Sequence, residues 1–404
     1  MRHRRSLALL FVCAGMLALL PLGAQQQLPE QAVEGQERAK LRRMGARAIP
    51  NQYIVVLDQD ADGDVAGTNR RIEALLAGRG RAPDHVWAHA LSGFSVQMTE
   101  EEALALADDP RVAYVEEDSL IEITVTQTNA TWGLDRIDQR SRPLSGTYSY
   151  TTTGAGVRVY VIDTGIRRTH VDFGTRAAVG FDAIGDGRNG SDCNGHGTHV
   201  AGTVGGATWG VAKAVRLIAV RVLNCSGSGT TSGVISGVNW VTANHIKPAV
   251  ANMSLGGGIS SSLDSAVNTS ISAGVTYAVA AGNSNTNASN SSPARVGAAI
   301  TVGSSTSSDS RSSFSNFGSV VDIFAPGSSI RSAWATSDTA TATISGTSMA
   351  TPHVAGVAAR ILQGSPSASP ATVRNTMVNN ATLGVLTGIP IGTNNRLLFR
   401  SGTQ

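Results

Sequence analysis

Short apolar runs alternate with longer amphipathic segments from about residue 130 onward. The apolar runs predict strands at 156–162, 216–223, 250–255, 275–281, 299–303 and 320–324. The amphipathic segments predict helices at 198–204, 231–244, 261–273 and 347–362. Strands that alternate with helices are typical of an α/β fold with a central, mostly parallel sheet covered by helices on both faces. In such sheets, functional residues gather at the carboxyl ends of strands and at helix N-termini.

Residues 51–123 follow a different pattern and predict a small α+β unit. Strands are expected at 53–57, 93–98 and 111–118, with helices at 69–76 and 103–107. Thr99 and Glu102 have the spacing of a capping box and predict the start of the second helix. Residues 119–129 form a Thr-rich stretch that we expect to be an exposed connector, suitable for proteolytic cutting.

The first residues have the pattern of a targeting segment. Residues 1–5 are basic, residues 7–20 are apolar, and Gly23 and Ala24 are small. This pattern predicts a secretory signal peptide over residues 1–24. The apolar run is short for a membrane-spanning helix, which needs ~20 residues. We therefore expect export from the cell and no stable membrane association.

Charge divides the remaining chain into two parts, with a provisional boundary after Val125. Residues 25–125 carry 10 Lys and Arg against 18 Asp and Glu, whereas residues 126–404 carry 19 Lys and Arg against 11 Asp and no Glu. Opposite net charges favour docking of the two parts, although they are equally compatible with unrelated surface chemistry. The basic part has no run of Lys and Arg and few aromatic residues, so nucleic-acid binding is not expected.

Cysteine usage agrees with export. Cys13 lies in the predicted signal peptide, which leaves Cys193 and Cys225. An even number of cysteines in an exported chain favours one disulfide, which would stabilise the fold by roughly 3–4 kcal/mol. Two buried thiols remain the alternative. Zinc is not favoured, because the two cysteines lack the spacing of a zinc site.

Three glycine-bearing motifs place reactive side chains at predicted strand ends and helix starts: DTG at 163–165, GHGTH at 195–199 and SGTSMATPHVAG at 345–356. Ser348 is the candidate nucleophile, and a serine hydroxyl needs an adjacent base. His196 is the candidate base, because imidazole titrates near neutral pH. Asp163 would fix the imidazole tautomer and stabilise its charged form. Gly195 and Gly197 are expected to let the backbone pass close to a substrate.

Each of these residues also has an alternative interpretation. Ser348 has the residue type of a helix cap, and Asp-Thr-Gly also occurs in aspartic proteases, where a homodimer needs one copy per chain. A zinc site on His196 and His199 is not favoured, because such helices space their histidines four apart around a Glu. His199, His353 and His170 are expected to be buried structural residues.

The motifs, in the order Asp, His, Ser, resemble those of the subtilisin family of serine endopeptidases, and of its proteinase K branch with aqualysin-like secreted bacterial members. The resemblance covers about residues 51–399. It implies a subtilisin-like three-layer fold, an acyl-enzyme mechanism and a monomeric mature enzyme. Asn283 in the word AAGN matches the side-chain donor of the family's oxyanion hole.

The segments YIVVL, GFSV and VAYVEED, which begin at residues 53, 93 and 112, are similar to those of the family's inhibitory propeptide. The resemblance implies a propeptide over residues 25–125, with its compact domain at about 51–123, and a peptidase domain over 126–404. The propeptide would act as intramolecular chaperone and inhibitor until it is cut away within about 119–131.

Two segments resemble the strands between which the family binds an extended protein substrate. Their residues are Gly227, Ser228 and Gly229 in one segment, and Ser254, Leu255 and Gly256 in the other. Pairing with main-chain groups favours broad specificity. The resemblance places the primary specificity pocket between Leu255-Gly256 and Ala280-Ala281-Gly282. Because these words contain no acidic residue, we expect cleavage after apolar or aromatic residues.

Structural Ca²⁺ is implied by the same resemblance. Asp322, with the carbonyl groups of Gly297 and Ala299, matches one calcium site of the branch. Asp135, Asp138 and Gln139 match a second, which is weakened here because Ser145 and Thr147 stand where relatives carry Asp or Asn. Oxygen donors of this kind suit Ca²⁺. A third site, around Asp182 and Asp186, is only partly reproduced, and Ser289 and Val320 replace the branch's second disulfide.

Two competing functions remain: an inactive binding protein on the protease scaffold, and an aspartic-type protease that uses Asp163. The filled catalytic positions argue against an inactive scaffold, which has no need of them. A nuclease or lipid hydrolase with the same triad is less favoured, because the strand-pairing segments suit peptides.

Overall fold

The structure is a computed structural model that describes residues 40–45, 48–58, 65–119 and 124–402. The chain divides between Ile121 and Glu122 into two compact units. The predicted signal peptide lies outside the described residues, as does the connector at 120–123.

The described part of the N-terminal unit is a five-stranded sheet with two helices. Its strands are β1 (Leu41–Arg42), β2 (Ala48–Leu57), β3 (His85–Trp87), β4 (Gly93–Gln97) and β5 (Val112–Ser119), in the order β1-β5-β2-β4-β3. Its helices are α1 (Val65–Leu76) and α2 (Glu100–Ala107). The predicted capping box is present, since the Thr99 N–H donates to Glu102 Oε2 at 2.7 Å. The α+β prediction for this unit is therefore confirmed.

The segment expected to be an exposed connector contains a short strand. β6 (Val125–Thr128) pairs antiparallel with β7 (Thr147–Tyr150), and its residues are mostly exposed. The sequence did not reveal this strand, because a single short pair of polar strands has no apolar alternation. A second hairpin joins β15 (Ile330–Ala333) and β16 (Thr341–Ile344).

A nine-stranded sheet forms the centre of the C-terminal unit. Its strands are β8 (Arg158–Asp163), β9 (Ala177–Asp182), β10 (Arg216–Arg221), β11 (Ala249–Met253), β12 (Thr276–Ala280), β13 (Ile300–Ser305), β14 (Ile323–Pro326), β17 (Thr382–Leu383) and β18 (Arg396–Leu397). The order is β17-β18-β14-β13-β12-β11-β8-β10-β9, and every pair is parallel except β17 with β18.

Helices cover both faces of this sheet. They are α3 (Trp132–Asp138), α4 (His196–Gly205), α5 (Thr231–Asn244), α6 (Ser261–Ser272), α7 (Thr347–Gly364) and α8 (Pro370–Asn380). In β8, Val159 and Val161 pack with α4 and α7, whereas Tyr160 and Ile162 pack with α5 and α6. The predicted α/β fold with a central, mostly parallel sheet is confirmed.

Strand β8 is the point from which the chain builds the sheet in two directions, because β10 and β11 are its neighbours on either side. Side chains at the carboxyl end of β8 therefore face the crevice in which such sheets bind ligands. Asp163 is the last residue of β8. Among the described residues, no helix combines the length and the apolar character needed to cross a bilayer.

Candidate active site

Asp163 lies at the carboxyl end of β8 and is fully buried. Its Oδ1 accepts hydrogen bonds from His196 Nδ1 and from the Thr164 N–H, each at 2.7 Å. Its Oδ2 is buried and has no hydrogen-bond partner among the described residues. A carboxylate in this position keeps the proton of a neutral imidazole on Nδ1 and leaves Nε2 as the basic nitrogen.

His196 is the first residue of α4, and Gly195 caps the helix in the left-handed region, at φ 111°. A Cβ on Gly195 would overlap the ring of Trp334, and one on Gly197 would overlap the carbonyl oxygen of Gly165. We expected these glycines to let the backbone approach a substrate. The structure shows close internal contacts at both positions: Gly197 lies against Gly165, just after β8, and Gly195 lies against the Trp334 ring.

Asp192 organises the turn that carries His196, a role that the sequence analysis missed. Its Oδ1 accepts from the Thr164 hydroxyl and from the N–H groups of Asn194 and Gly195, each at 2.9 Å. Its Oδ2 accepts from the N–H and the hydroxyl of Thr198, at 2.9 and 2.6 Å. Asp192 lies three residues before the cap residue Gly195, so the usual N-cap pattern does not point to it, although its Oδ2 bonds the Thr198 N–H in the first turn.

The electrostatics of the site favour the charged form of His196. Burial alone would lower the pKa of this imidazole, but the charge and hydrogen bond of Asp163, together with the charge of Asp192, raise it above its ordinary value of 6.5. The side chain is 25% exposed, so it remains in contact with the cleft. A base of raised pKa holds more firmly the proton that it accepts.

Ser348 is the second residue of α7, and the helix begins after Gly346. Its hydroxyl donates to the carbonyl oxygen of Ser254 at 2.9 Å, and the Ser254 hydroxyl donates to the carbonyl oxygen of Ser348 at 2.8 Å. The first N–H groups of a helix have no partner within the helix and carry its positive dipole end. The N–H of Ser348 is therefore placed to stabilise a developing negative charge.

Asn283 is held against the start of α7 by Thr347. Its Oδ1 accepts from both the N–H and the hydroxyl of Thr347, each at 2.8 Å, and the N–H of Gly282 donates to that hydroxyl at 3.2 Å. With Oδ1 fixed in this way, the Nδ2 amide lies beside Gly346 and close to the Ser348 turn. Thr347 is fully buried, and the sequence analysis did not identify its role.

The candidate residues line one cleft. A cavity of about 560 Å³ is lined by His196, by residues 226–231 and by residues 254–258. A neighbouring cavity of about 380 Å³ is lined by Ser348, by residues 280–284 and again by residues 255–258. All nine residues predicted to bind substrate line one or both cavities: Gly227, Ser228, Gly229, Ser254, Leu255, Gly256, Ala280, Ala281 and Gly282.

The second cavity corresponds to the predicted specificity pocket, and no charged side chain lines it within the described part of the chain. Asn316, which the sequence analysis did not identify, braces its wall. Its Nδ2 donates to the carbonyl oxygen of Ala281 at 2.8 Å, and its Oδ1 accepts from the N–H groups of Ser284 and Thr286 at 3.0 Å. The pocket is thus small, uncharged and rigidly built.

A disulfide joins Cys193 and Cys225 across a sequence separation of 32 residues. Cys193 directly follows Asp192, and Cys225 directly precedes the cleft segment 226–229. Asn194 reinforces the connection, since its Nδ2 donates to the carbonyl oxygen of Cys225 at 2.9 Å. The bridge therefore ties the turn that carries His196 to one wall of the cleft.

The remaining histidines of the motifs are buried and bonded to backbone groups. His199 Nε2 lies 3.0 Å from the carbonyl oxygen of Ile330, and His353 Nδ1 lies 2.9 Å from that of Met349. Burial lowers the pKa of each to about 4. His170 Nε2 lies 2.9 Å from the carbonyl oxygen of Ala340.

The residues implied as calcium ligands differ in how well they fit a metal ion. Among the described residues, no three His, Cys, Asp or Glu side chains converge on one point. Asp322 Oδ1 accepts from the guanidinium of Arg374, and its Oδ2 accepts from the Thr301 N–H at 2.9 Å. Arg374 supplies the positive charge that a calcium ion would provide, so the Asp322 carboxylate does not fit a metal ion as it stands.

The second set has the chemistry of a calcium site. Asp135 Oδ1 and Gln139 Oε1 both approach the Ser145 N–H, at 3.1 and 3.3 Å. Asp138 lies nearby, and burial, together with the charge of Asp135, raises its pKa to about 6. Two carboxylates and an amide oxygen that are short of positive charge fit a hard cation. At the third position, Arg221 pairs with both Asp182 and Asp186 and takes the place of a cation.

Comparison with known proteins places both units. The family model described as "Subtilase family" matches residues 154–402, and the model described as "Peptidase inhibitor I9" matches residues 52–124. An extracellular serine proteinase of Thermus sp. (strain Rt41A) is 51% identical over 400 residues, which cover 95% of this chain and 97% of the relative.

Two further relatives agree with these matches. Alkaline serine exoprotease A of Vibrio alginolyticus is 51% identical over 364 residues, 87% of this chain and 68% of the relative. A solved structure described as a cold adapted subtilisin-like serine proteinase is 58% identical and superposes with a TM-score of 0.66. The superposition covers 67% of this chain and 98% of that protein.

Proposed function

The chain belongs to the subtilase family of serine proteinases, and we propose that Asp163, His196 and Ser348 are its catalytic triad. The observation that carries this proposal is the 2.7 Å hydrogen bond from His196 to the buried Asp163, in the same cleft as Ser348. The N-terminal unit is an inhibitor domain of the I9 type, so the chain is a zymogen that is activated when this unit is removed.

In the proposed mechanism, Ser348 Oγ attacks the carbonyl carbon of the scissile peptide bond while its proton passes to His196 Nε2. Asp163 stabilises the imidazolium through Nδ1. The Ser348 N–H and Asn283 Nδ2 donate to the oxyanion of the tetrahedral intermediate. The imidazolium then protonates the leaving amine, which departs and leaves an acyl-enzyme. Water, activated by His196, hydrolyses that ester and restores the Ser348 hydroxyl.

We propose broad specificity with a preference for an apolar or aromatic residue before the cut bond. Support comes from the uncharged lining of the pocket between 255–258 and 280–284. A buried charge on the substrate would lose its hydration there without gaining a partner, which is costly. The glycine-rich segments 227–229 and 254–258 suit pairing with the main chain of an extended peptide.

We also propose how the enzyme is exported and matured, and which binding partners it needs. We propose export directed by residues 1–24, and maturation by self-cutting within 119–131. Extracellular relatives support export, and the exposed strand β6 lies within this range of residues. The mature part is proposed to act as a monomer, because one chain supplies every candidate catalytic residue, and to need no membrane or nucleic-acid partner.

Structural Ca²⁺ is proposed at Asp135, Asp138 and Gln139, where carboxylate and amide oxygens would hold the ion and tie α3 to the turn at Ser145. A bound ion would neutralise the two like charges and lower the pKa of Asp138. The ion takes no part in the chemical step. A thermal-unfolding titration with CaCl₂ tests this site, since Asp138→Asn should reduce the gain in Tm.

The deciding experiment compares casein hydrolysis by the protein and by Ser348→Ala, with the intact mass followed over time. Activity and loss of roughly 125 residues in the unsubstituted protein alone support the serine mechanism and self-processing. Equal activity of both proteins rejects Ser348 as nucleophile. Inhibition by pepstatin and not by a phosphonyl fluoride would favour an aspartic mechanism at Asp163. No activity and no phosphonyl labelling would favour an inactive scaffold.

A further inference from the structure

The first turn of α7 lacks one of its own hydrogen bonds. In an α-helix the carbonyl oxygen of each residue accepts from the N–H four residues later. For Ser348 that residue is Pro352, which lies inside α7 and has no N–H. The carbonyl oxygen of the proposed nucleophile therefore cannot be satisfied by the regular bond of its helix.

The donor comes from the other wall of the cleft. Ser254 Oγ donates to the Ser348 carbonyl oxygen at 2.8 Å, and Ser254 is 3% exposed. This bond joins the nucleophile's peptide group directly to the segment that begins the substrate-binding wall. A substitution that removed the hydroxyl would leave a carbonyl without a partner at the base of the cleft, and the turn would shift to satisfy it.

Asn252 controls the direction of this hydroxyl. Asn252 is fully buried in β11, and its Nδ2 donates to Ser254 Oγ at 2.8 Å. Because Ser254 Oγ accepts from Asn252, its own proton is left to point at Ser348. The Asn252 Oδ1 is buried without a hydrogen-bond partner in the described part of the chain. An unpaired buried amide oxygen costs stability, so packing does not explain why an Asn stands here.

We propose that Ser254, directed by Asn252, is a positioning residue that supplies the hydrogen-bond donor that Pro352 removes from the first turn of α7. This inference rests on the proposed role of Ser348 as nucleophile. The hydrogen bond from Ser254 fixes the position of Ser348 relative to the cleft wall formed by residues 254–258. A substrate that binds along this wall is then held with its scissile bond next to the Ser348 hydroxyl. Displacement of a reacting group by about 1 Å can cost about a hundredfold in rate.

The test compares Ser254→Thr with Ser254→Val, which have the same shape but differ in the hydroxyl. We expect Ser254→Val to lower kcat about ten- to a hundredfold and Ser254→Thr to remain within a few-fold of the unsubstituted enzyme. The acid limb of the pH profile should stay in place in both, since the Asp163–His196 pair is untouched. An equal loss of kcat in the two variants would overturn the proposal and favour general packing.

Pro352→Ala provides an independent arm, because it restores an N–H opposite the Ser348 carbonyl oxygen. In the Ser254→Val background this substitution should recover at least several-fold of the lost kcat, whereas additive losses would contradict the inference. Labelling by a phosphonyl fluoride distinguishes a failure of the proposed nucleophile from a failure of the proposed positioning role. If the unsubstituted protein is not labelled at Ser348, the proposed catalytic role of Ser348 is wrong. If labelling is normal and the kcat of Ser254→Val is unchanged, only the positioning role of Ser254 is contradicted.

Discussion

Ser254 and Ser348 each donate a hydroxyl hydrogen bond to the other's carbonyl oxygen, at 2.8 and 2.9 Å. In this arrangement the nucleophile's proton is directed at the cleft wall rather than at His196. The Ser254 carbonyl lies in the segment proposed to pair with a substrate main chain. A substrate N–H that takes this acceptor would free the Ser348 hydroxyl to turn to His196, which links binding to activation of the nucleophile.

The decrease in kcat/KM at acidic pH should reflect the pKa of His196. Because Asp163 and Asp192 raise the pKa of His196 above 6.5, the neutral base is lost at a higher pH than for an ordinary histidine. We expect kcat/KM to fall on acidification with a midpoint above 6.5, and Asp192→Asn to move that midpoint to lower pH.

The control for this prediction is Asp264→Asn, which removes the same charge from α6, where Asp264 faces Arg295 at 3.5 Å. It should leave the midpoint in place. A midpoint that is identical in all three proteins would show that Asp192 acts on the turn only through its hydrogen bonds and not through its charge.

Removal of the disulfide should affect both stability and substrate binding. Loss of this bridge, which spans a sequence separation of 32, in Cys193→Ser/Cys225→Ser is expected to cost roughly 3–4 kcal/mol of unfolding free energy. KM should rise more than kcat falls, because the segment 226–229 loses its tie to the turn of Asp192. Peptide-substrate kinetics and urea unfolding measure the two effects. A reducing agent should reproduce them in the unsubstituted protein and leave the double variant unchanged; sensitivity of both would place the effect elsewhere.

Stability should fall as the pH is lowered from 6.5 to 4. The pKa values of His199 and His353 are near 4 in the fold and 6.5 when unfolded, so the unfolded state binds more protons in this window. Asp138 opposes them, since its pKa is raised to about 6 and its protonation favours the fold. His196 and Asp322 oppose them as well, because their pKa values are also raised in the fold, so the net loss is smaller than the two histidines alone would produce.

This pH dependence is measured by urea unfolding of the phosphonyl-inhibited enzyme at pH 7 and pH 4.5, in the presence of EDTA. His353→Gln is the diagnostic variant. This variant should be less stable than the unsubstituted protein at pH 7. Its free energy of unfolding should fall less between pH 7 and pH 4.5, because one of the two titrating histidines is gone. The same loss on acidification with and without His353 would contradict the assignment.

The sequence predicted the sheet well because its central strands are continuous apolar runs. It missed β9 (Ala177–Asp182), which lies at the edge of the sheet. The residues of β9 are only partly buried, so the strand does not have the continuous apolar run that marks the central strands. The proposed triad was recognisable because each of its three residues lies in a short motif. The residues that orient the triad act through contacts between distant segments: Ser254 reaches across 94 residues to Ser348, and Thr347 across 64 to Asn283. No local pattern encodes such pairs.

The position of Arg374 changes what chelation should do. It stands 52 residues beyond Asp322 in the chain, yet its guanidinium bonds the carboxylate that the family resemblance assigns to calcium. Arg374→Ala would leave Asp322, which is 5% exposed, with the Thr301 N–H but with no hydrogen-bonded cation among the described residues. We expect the free energy of unfolding to fall by about 2–3 kcal/mol when it is measured in the presence of EDTA. This is less than the cost of breaking a fully buried ion pair, because Arg374 is one-third exposed.

Calcium should then compensate for the missing arginine. The substitution frees the Asp322 carboxylate, and the family resemblance adds the carbonyl groups of Gly297 and Ala299; carboxylate and carbonyl oxygens are ligands that Ca²⁺ prefers. We expect millimolar CaCl₂ to raise the Tm of Arg374→Ala more than that of the unsubstituted protein, measured by thermal unfolding of the phosphonyl-inhibited enzymes. Arg295→Ala, which breaks a pair with Asp264, a carboxylate that is not among the implied calcium ligands, serves as the matched control and should show no added response. Equal calcium responses in all three proteins would mean that Arg374 does not take the place of a metal ion at Asp322.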